Sequence, residues 1–167
     1  MTAIRTTTAQ DADAILHIAA SEPLFNAQEA ACVDELLTDY LVKADHGGYY
    51  FLTAEDNGRV VGFACYGPTA LTDGTYDLYW ICVDRESAGK GIGTALMHRA
   101  ETEIARSHGR LIIVETSGTP AYAPTRAFYE HLGYQRVATV PNYYRAGDDL
   151  VIYTRPVTDA DLPRAGE

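Results

Sequence analysis

Three glycines at alternate positions, Gly89, Gly91 and Gly93, separate a strand-like run from a helix-like run within TYDLYWICVDRESAGKGIGTALM, residues 75–97. Such a loop leaves backbone N–H groups free at a helix start. Those donors and the helix dipole both favour negative charge, so the chemistry is capture of a phosphate or pyrophosphate. Lys90 and Arg85 lie beside the loop. Each can help neutralise phosphates, and each reads equally well as an ordinary surface charge.

Which phosphorylated ligand is meant depends on the spacing. A nucleoside-triphosphate loop needs GxxxxGK[ST], but Lys90 is followed by Gly91 and no glycine stands five residues before Gly89. A dinucleotide fingerprint needs GxGxxG directly after a strand. Counted from Gly89 the third glycine falls on Thr94, and counted from Gly91 it falls on Leu96. Neither motif is satisfied.

The segment resembles the acetyl-CoA pyrophosphate loop of the GNAT superfamily of N-acetyltransferases, [RQ]xxGxG[AG], with Gly91 and Gly93 on its two glycines. Ala88 replaces the usual Arg or Gln, and Thr94 takes the last small position. The change at Ala88 removes a side-chain hydrogen bond but leaves the backbone donors. The strand ending WICV, the apolar run LIIVET and the segment TRAFYEHLGY follow the family's order, the last matching [AS]xxFYxxxGF. The resemblance spans roughly residues 3–156.

It implies a mixed α/β fold: a central, mostly antiparallel sheet splayed between its fourth and fifth strands, with four helices around it. It also implies acetyl-CoA as co-substrate. The backbone of Ala88, Gly89, Lys90, Gly91, Ile92, Gly93 and Thr94 would cradle the pyrophosphate. The backbone at Cys82 and Val83 would hold the pantetheine arm and polarise the thioester carbonyl. Tyr122 falls seven residues before Tyr129, where many relatives have a pantetheine-binding Asn. A structural role for Tyr122 is the other reading.

Two residues carry the implied chemistry. Transfer of acetyl from a thioester to an amine releases a thiolate, which benefits from a proton donor. In many relatives the Tyr of the FYxxxG segment, here Tyr129, is read as that acid; without the resemblance it reads as a packed aromatic beside Phe128. Asp77, six residues before Val83, sits where lysine-acetylating relatives carry a base Glu. A solvated or capping Asp near a turn is the alternative. Phe25, Glu29, Tyr79 and Tyr143 are the expected acceptor contacts, with Glu22, Asn26, Tyr144, Asp148 and Asp149 as further candidates. Acids and aromatics suit a cationic amine, though acids at helix starts are commonly caps.

The expected reaction is direct transfer from acetyl-CoA to a primary amine, a small molecule being favoured. A non-catalytic acyl-CoA sensor and a protein N-terminal or lysine acetyltransferase are the alternatives. No cysteine has a recognisable His partner, which argues against a covalent acetyl-enzyme. His17, His98, His108 and His131 share no metal-ligand spacing, and no metal is expected.

The elements that must position these residues follow from patterning. Ile15, Leu16, Ile18 and Ala19 mark a first helix, and Val33, Leu36, Leu37, Tyr40 and Leu41 a second within 27–44. Asn57-Gly58 joins two strand-like runs as a hairpin. A helix over 91–108 and another over 125–132 end at Gly109 and Gly133. Residues 134–140 and 150–156 form a last hairpin across PNYYRAGDD. One domain over 1–156 with a flexible tail, 157–167, is expected.

Composition narrows the partners. With 23 acidic against 13 basic residues the formal net charge is −10. Nucleic-acid and anionic-membrane binding, which want a basic face, are disfavoured. Cys32, Cys65 and Cys82 form no CxxC pair, so reduced thiols in a cytoplasmic protein are expected. The sequence shows no signal segment or membrane-spanning apolar run. A homodimer is compatible with the fold.

Overall fold

The computed structural model describes residues 1–163, apart from the side chain of Asp45. Seven strands form one sheet: β1 (Thr2–Thr6), β2 (Tyr50–Asp56), β3 (Arg59–Pro68), β4 (Thr75–Val83), β5 (Leu111–Ser117), β6 (Gln135–Arg145) and β7 (Asp148–Pro156). Their spatial order is β1-β2-β3-β4-β5-β7-β6. Among the described residues only β4 and β5 run parallel. Four helices cover the faces: α1 (Ala12–Ser21), α2 (Ala27–Lys43), α3 (Ile92–Arg106) and α4 (Ala123–His131). This is the expected mixed architecture.

The chain's local chemistry sets the boundaries. Asn26 accepts from the Glu29 amide at 2.9 Å, and Glu29 accepts from the Asn26 amide at 2.7 Å. This reciprocal cap starts α2 without leaving two donors orphaned. Asn57 and Gly58 both have positive φ, 51° and 78°, as a tight hairpin turn of matching twist requires. Pro124 falls in the first turn of α4, where its missing N–H costs nothing, so the helix starts before Thr125.

The last hairpin differs from its expected form. Its strands continue through PNYYR, and the turn shrinks to Ala146-Gly147. Asn142, at φ 53°, makes this possible. Its amide donates to Asp149 Oδ1 and its Oδ1 accepts from the Gly147 amide, both at 2.8 Å. Pro141 is tolerated because β6 is an edge strand.

Two apolar cores flank the sheet. On one face α3 and α4 bury Leu96, Met97, Ile104 and Tyr129 against Leu78, Ile112, Val114 and Tyr153. On the other α1 and α2 bury Ile15, Val33 and Leu37 against Phe51, Phe63 and Cys82. Both layers pack on β4, which is therefore fixed from two sides. The segment expected as a tail holds a one-turn helix at Asp159–Asp161, where Asp161 pairs with Arg155 at 2.7 Å. Residues 164–167 lie outside the described residues. Among the described residues no helix is long and apolar enough to cross a membrane.

Candidate active site

The parallel ladder between β4 and β5 pairs Thr75 with Leu111 through Leu78 with Val114, and then stops. Beyond that point the strands part. A cavity of about 1010 Å3 occupies the fork and extends between the α1–α2 loop, β5, α4 and the β6–β7 turn. Unpaired strand backbone opposite a gap suits an extended ligand arm, which adds to β4 like another strand.

At the head of the fork, Gly91 is the N-cap of α3 with φ 78°, and Gly89 has φ 74°. That region is costly for a residue with a Cβ. A Cβ at either glycine would meet nothing within 4 Å, so the loop surface is open. Among the described residues the amides of Gly89, Lys90 and Gly91 donate no hydrogen bond. No side chain caps α3. Free donors, an open surface and a helix N-terminus together fit a pyrophosphate. Gly93 has a different task, since a Cβ there would sit 3.4 Å from the Phe128 ring. Lys90 Nζ donates to the Glu86 carbonyl at 3.0 Å.

Of the residues expected at the site, Phe25, Glu29, Asp77, Tyr79, Cys82, Val83, Tyr122 and Tyr129 line the cavity. Glu22, Asn26, Tyr144 and Asp148 do so too. Tyr143 is not among the lining residues; it is exposed and meets Tyr144 edge-on at 5.0 Å. Asp149 is spent on the Asn142 amide. Tyr122, placed by sequence at a pantetheine contact, donates its hydroxyl to the Leu24 carbonyl at 3.0 Å.

The Tyr129 ring is buried among Phe128, Tyr134 and Tyr153, at centroid distances of 5.4, 6.0 and 6.2 Å. Its hydroxyl has no hydrogen-bond partner among the described residues. Burial holds the phenol protonated, well above its ordinary pKa. Asp77 accepts from Thr69 Oγ1 at 2.6 Å. Burial first, then the Asp77 charge, pushes the Tyr79 phenol up to about 12. Burial and the neighbouring Glu22 carboxylate push Cys82 up to about 12, so it is a thiol and not a thiolate.

One residue of the site was not singled out by sequence. Glu115 follows Val114 on β5, lines the cavity, and has no hydrogen bond or ion pair among the described residues. Burial, then the Asp77 charge, raises its pKa. The alternation of β5 carries the signal. Ile112 and Val114 enter the α3–α4 core, so Glu115 points with Ile113 to the other face.

The sequence model of the Acetyltransferase (GNAT) family matches residues 13–134. The chain belongs to this family. An uncharacterized N-acetyltransferase of Methanocaldococcus jannaschii is 31% identical over 116 residues, covering 68% of this chain and 70% of the relative. A solved structure from Desulfovibrio desulfuricans, described as an acetyltransferase of the GNAT family, is 40% identical with a TM-score of 0.91, covering 95% of this chain and 100% of that one. An aminoglycoside 6′-N-acetyltransferase solved with coenzyme A shares the fold at 20% identity, with a TM-score of 0.73 and coverage of 97% and 98%. The fork and the Tyr129 phenol share one cavity, and the glycine loop follows the β4 arm of that fork in the chain. Among the described residues no group of three His, Cys, Asp or Glu side chains is placed to hold a metal ion.

Proposed function

We propose that this GNAT protein transfers the acetyl group of acetyl-CoA directly to the primary amine of a small molecule. The observation that carries the reading is Tyr129. It is a phenol with a buried ring, an unengaged hydroxyl and a raised pKa, on the wall of the cavity at the strand fork. A neutral donor in that place suits protonation of a leaving sulfur.

The other roles follow from position. The amides of Gly89 to Thr94 would bind the pyrophosphate, and the β4 backbone at Cys82 and Val83 would take the pantetheine and thioester carbonyl. Acetyl-CoA supplies the thioester carbon that the amine attacks. Asp77, held by Thr69, stands on the acceptor side of the cavity. Either Asp77 or Glu115 accepts the amine's proton, and Glu115 is the freer of the two. Tyr129 gives its proton to the sulfur as the C–S bond breaks. Phe25 and Trp80, edge-on at 5.1 Å, with Tyr79 and Tyr144, offer aromatic surface to a cationic acceptor. The raised pKa of Cys82 supports direct transfer over a covalent acetyl-enzyme.

The test is thiol release from acetyl-CoA across a panel of diamines, aminocyclitols, amino-acid amides and peptides, alongside acetyl-CoA binding. Amine-dependent thiol release supports the reading. Binding of acetyl-CoA without release for any amine would make the protein a binding module, and absence of binding would remove both.

A further inference from the structure

The α1–α2 loop, residues 22–26, is tied to both arms of the fork. On the β4 arm, Cys82 donates its S–H to Glu22 Oε2 at 3.6 Å, and Phe25 packs on Trp80. On the β5 side, Tyr122 donates its hydroxyl to the Leu24 carbonyl at 3.0 Å, joining segments 98 residues apart. Within the loop, Glu22 Oε1 accepts from the Leu24 amide at 3.1 Å, so the same glutamate fixes loop and strand. Pro23 stiffens the span between them. Leu24 and Tyr122 both line the cavity. The loop is thus tied to β4 through Glu22 and Phe25 and to the segment after β5 through Leu24.

We propose that this bridge sets the size of the acceptor: Tyr122 holds residues 22–26 as a crossbar over the fork, which admits a small amine and shuts out an extended peptide. The inference rests on the acetyl-transfer reading above. A peptide in extended form advances about 3.3 Å per residue and needs an open trough several residues long. A crossbar fixed at both ends denies it that trough. A compact amine needs only the gap to the β6–β7 turn, which no hydrogen bond joins to the 22–26 loop among the described residues. Sequence reasoning placed Tyr122 beside the cofactor; the geometry makes it a specificity-determining residue for the acceptor.

The test uses Tyr122→Phe, which removes one oxygen and keeps the ring. Initial rates are compared for a short aliphatic diamine and for a hexapeptide with a free N-terminal alanine, both with acetyl-CoA. Amide exchange across residues 22–26 is measured on the same proteins. The wild type should favour the diamine. The variant should exchange faster in the loop and shift the rate ratio toward the peptide by roughly fivefold to tenfold, the scale of one net hydrogen bond. An unchanged ratio in an active variant overturns the crossbar, whether or not exchange quickens. A wild type that acetylates the peptide as readily as the diamine overturns it too. A wild type that binds no acetyl-CoA defeats the acetyl-transfer reading itself, and the acceptor filter falls with it.

Discussion

Leu78 and Val114 form the last pair of the parallel ladder, and the residues that follow them, Tyr79 and Glu115, both line the cavity. The end of one ladder thus sets a phenol and a carboxylate on the cavity wall. Strand pairing, rather than any local motif, brings them there.

Tyr129→Phe should lower kcat by roughly a hundredfold or more, the usual worth of a positioned proton donor. The affinity for acetyl-CoA should stay within a few-fold, because the ring packing is retained. Steady-state kinetics beside calorimetric titration checks both. A variant with full turnover would return Tyr129 to a packing role.

Glu115 and Asp77 should separate in a pH profile. A base must be deprotonated to act, so the raised pKa of Glu115 moves the acidic limb of kcat/KM to higher pH than an ordinary glutamate would set. Glu115→Gln should remove that limb. Asp77→Asn should move it to lower pH, because the Asp77 charge is one cause of the rise. Identical profiles for both variants would exclude Glu115 as the proton acceptor.

Cys82→Ser should keep turnover within about threefold, since a hydroxyl still donates to Glu22 and no thiolate is needed. Mass spectrometry after incubation with acetyl-CoA should find no acetylated thiol. A collapse of turnover would reopen a covalent route.

Gly91→Ala should weaken acetyl-CoA more than it weakens the fold. Its φ of 78° costs a Cβ-bearing residue about 1–2 kcal/mol, although no atom lies near enough to clash. The loop escapes that strain by turning its amides away from the ligand. A thermal-shift titration reads both effects.

Acid stability should depend on Asp11. The Arg5 guanidinium, at 2.8 Å on both carboxylate oxygens, holds Asp11 down to about 2 from an ordinary 3.8. The depressed pKa means the stabilisation is present above the ordinary value and lost as pH falls through about 2. Asp11→Asn should cost roughly 1–3 kcal/mol at neutral pH and flatten the acid limb of the unfolding curve.

The glycine loop, the helix after it and the FYEHLGY turn were legible in the sequence because each is a local pattern with a local cause. The span of α2 and the Asn57-Gly58 turn were legible for the same reason, although the Asn26 cap that starts α2 was not singled out. The relation of Tyr122 to Leu24 was not, since nothing local links residues 98 apart. Glu115 was hidden because LIIVET reads as one apolar run. Its exposure comes from the strands parting after Val114, which is a tertiary event. The reach of the last hairpin was misjudged at Pro141 and Asn142, where an edge position and a side-chain bridge override two turn-forming residues.

The sheet order has a consequence for synthesis. β7 lies between β5 and β6, and among the described residues β6 pairs with no other strand. As the chain leaves the ribosome, β6 emerges before the one strand it can pair with, and the outer edge of β5 stays open as well. The first four strands can zip in sequence, but the half of the sheet beyond β5 can close only after residue 156 is free. That interval, with eleven residues of β6 unpaired, is when the nascent protein most needs a chaperone.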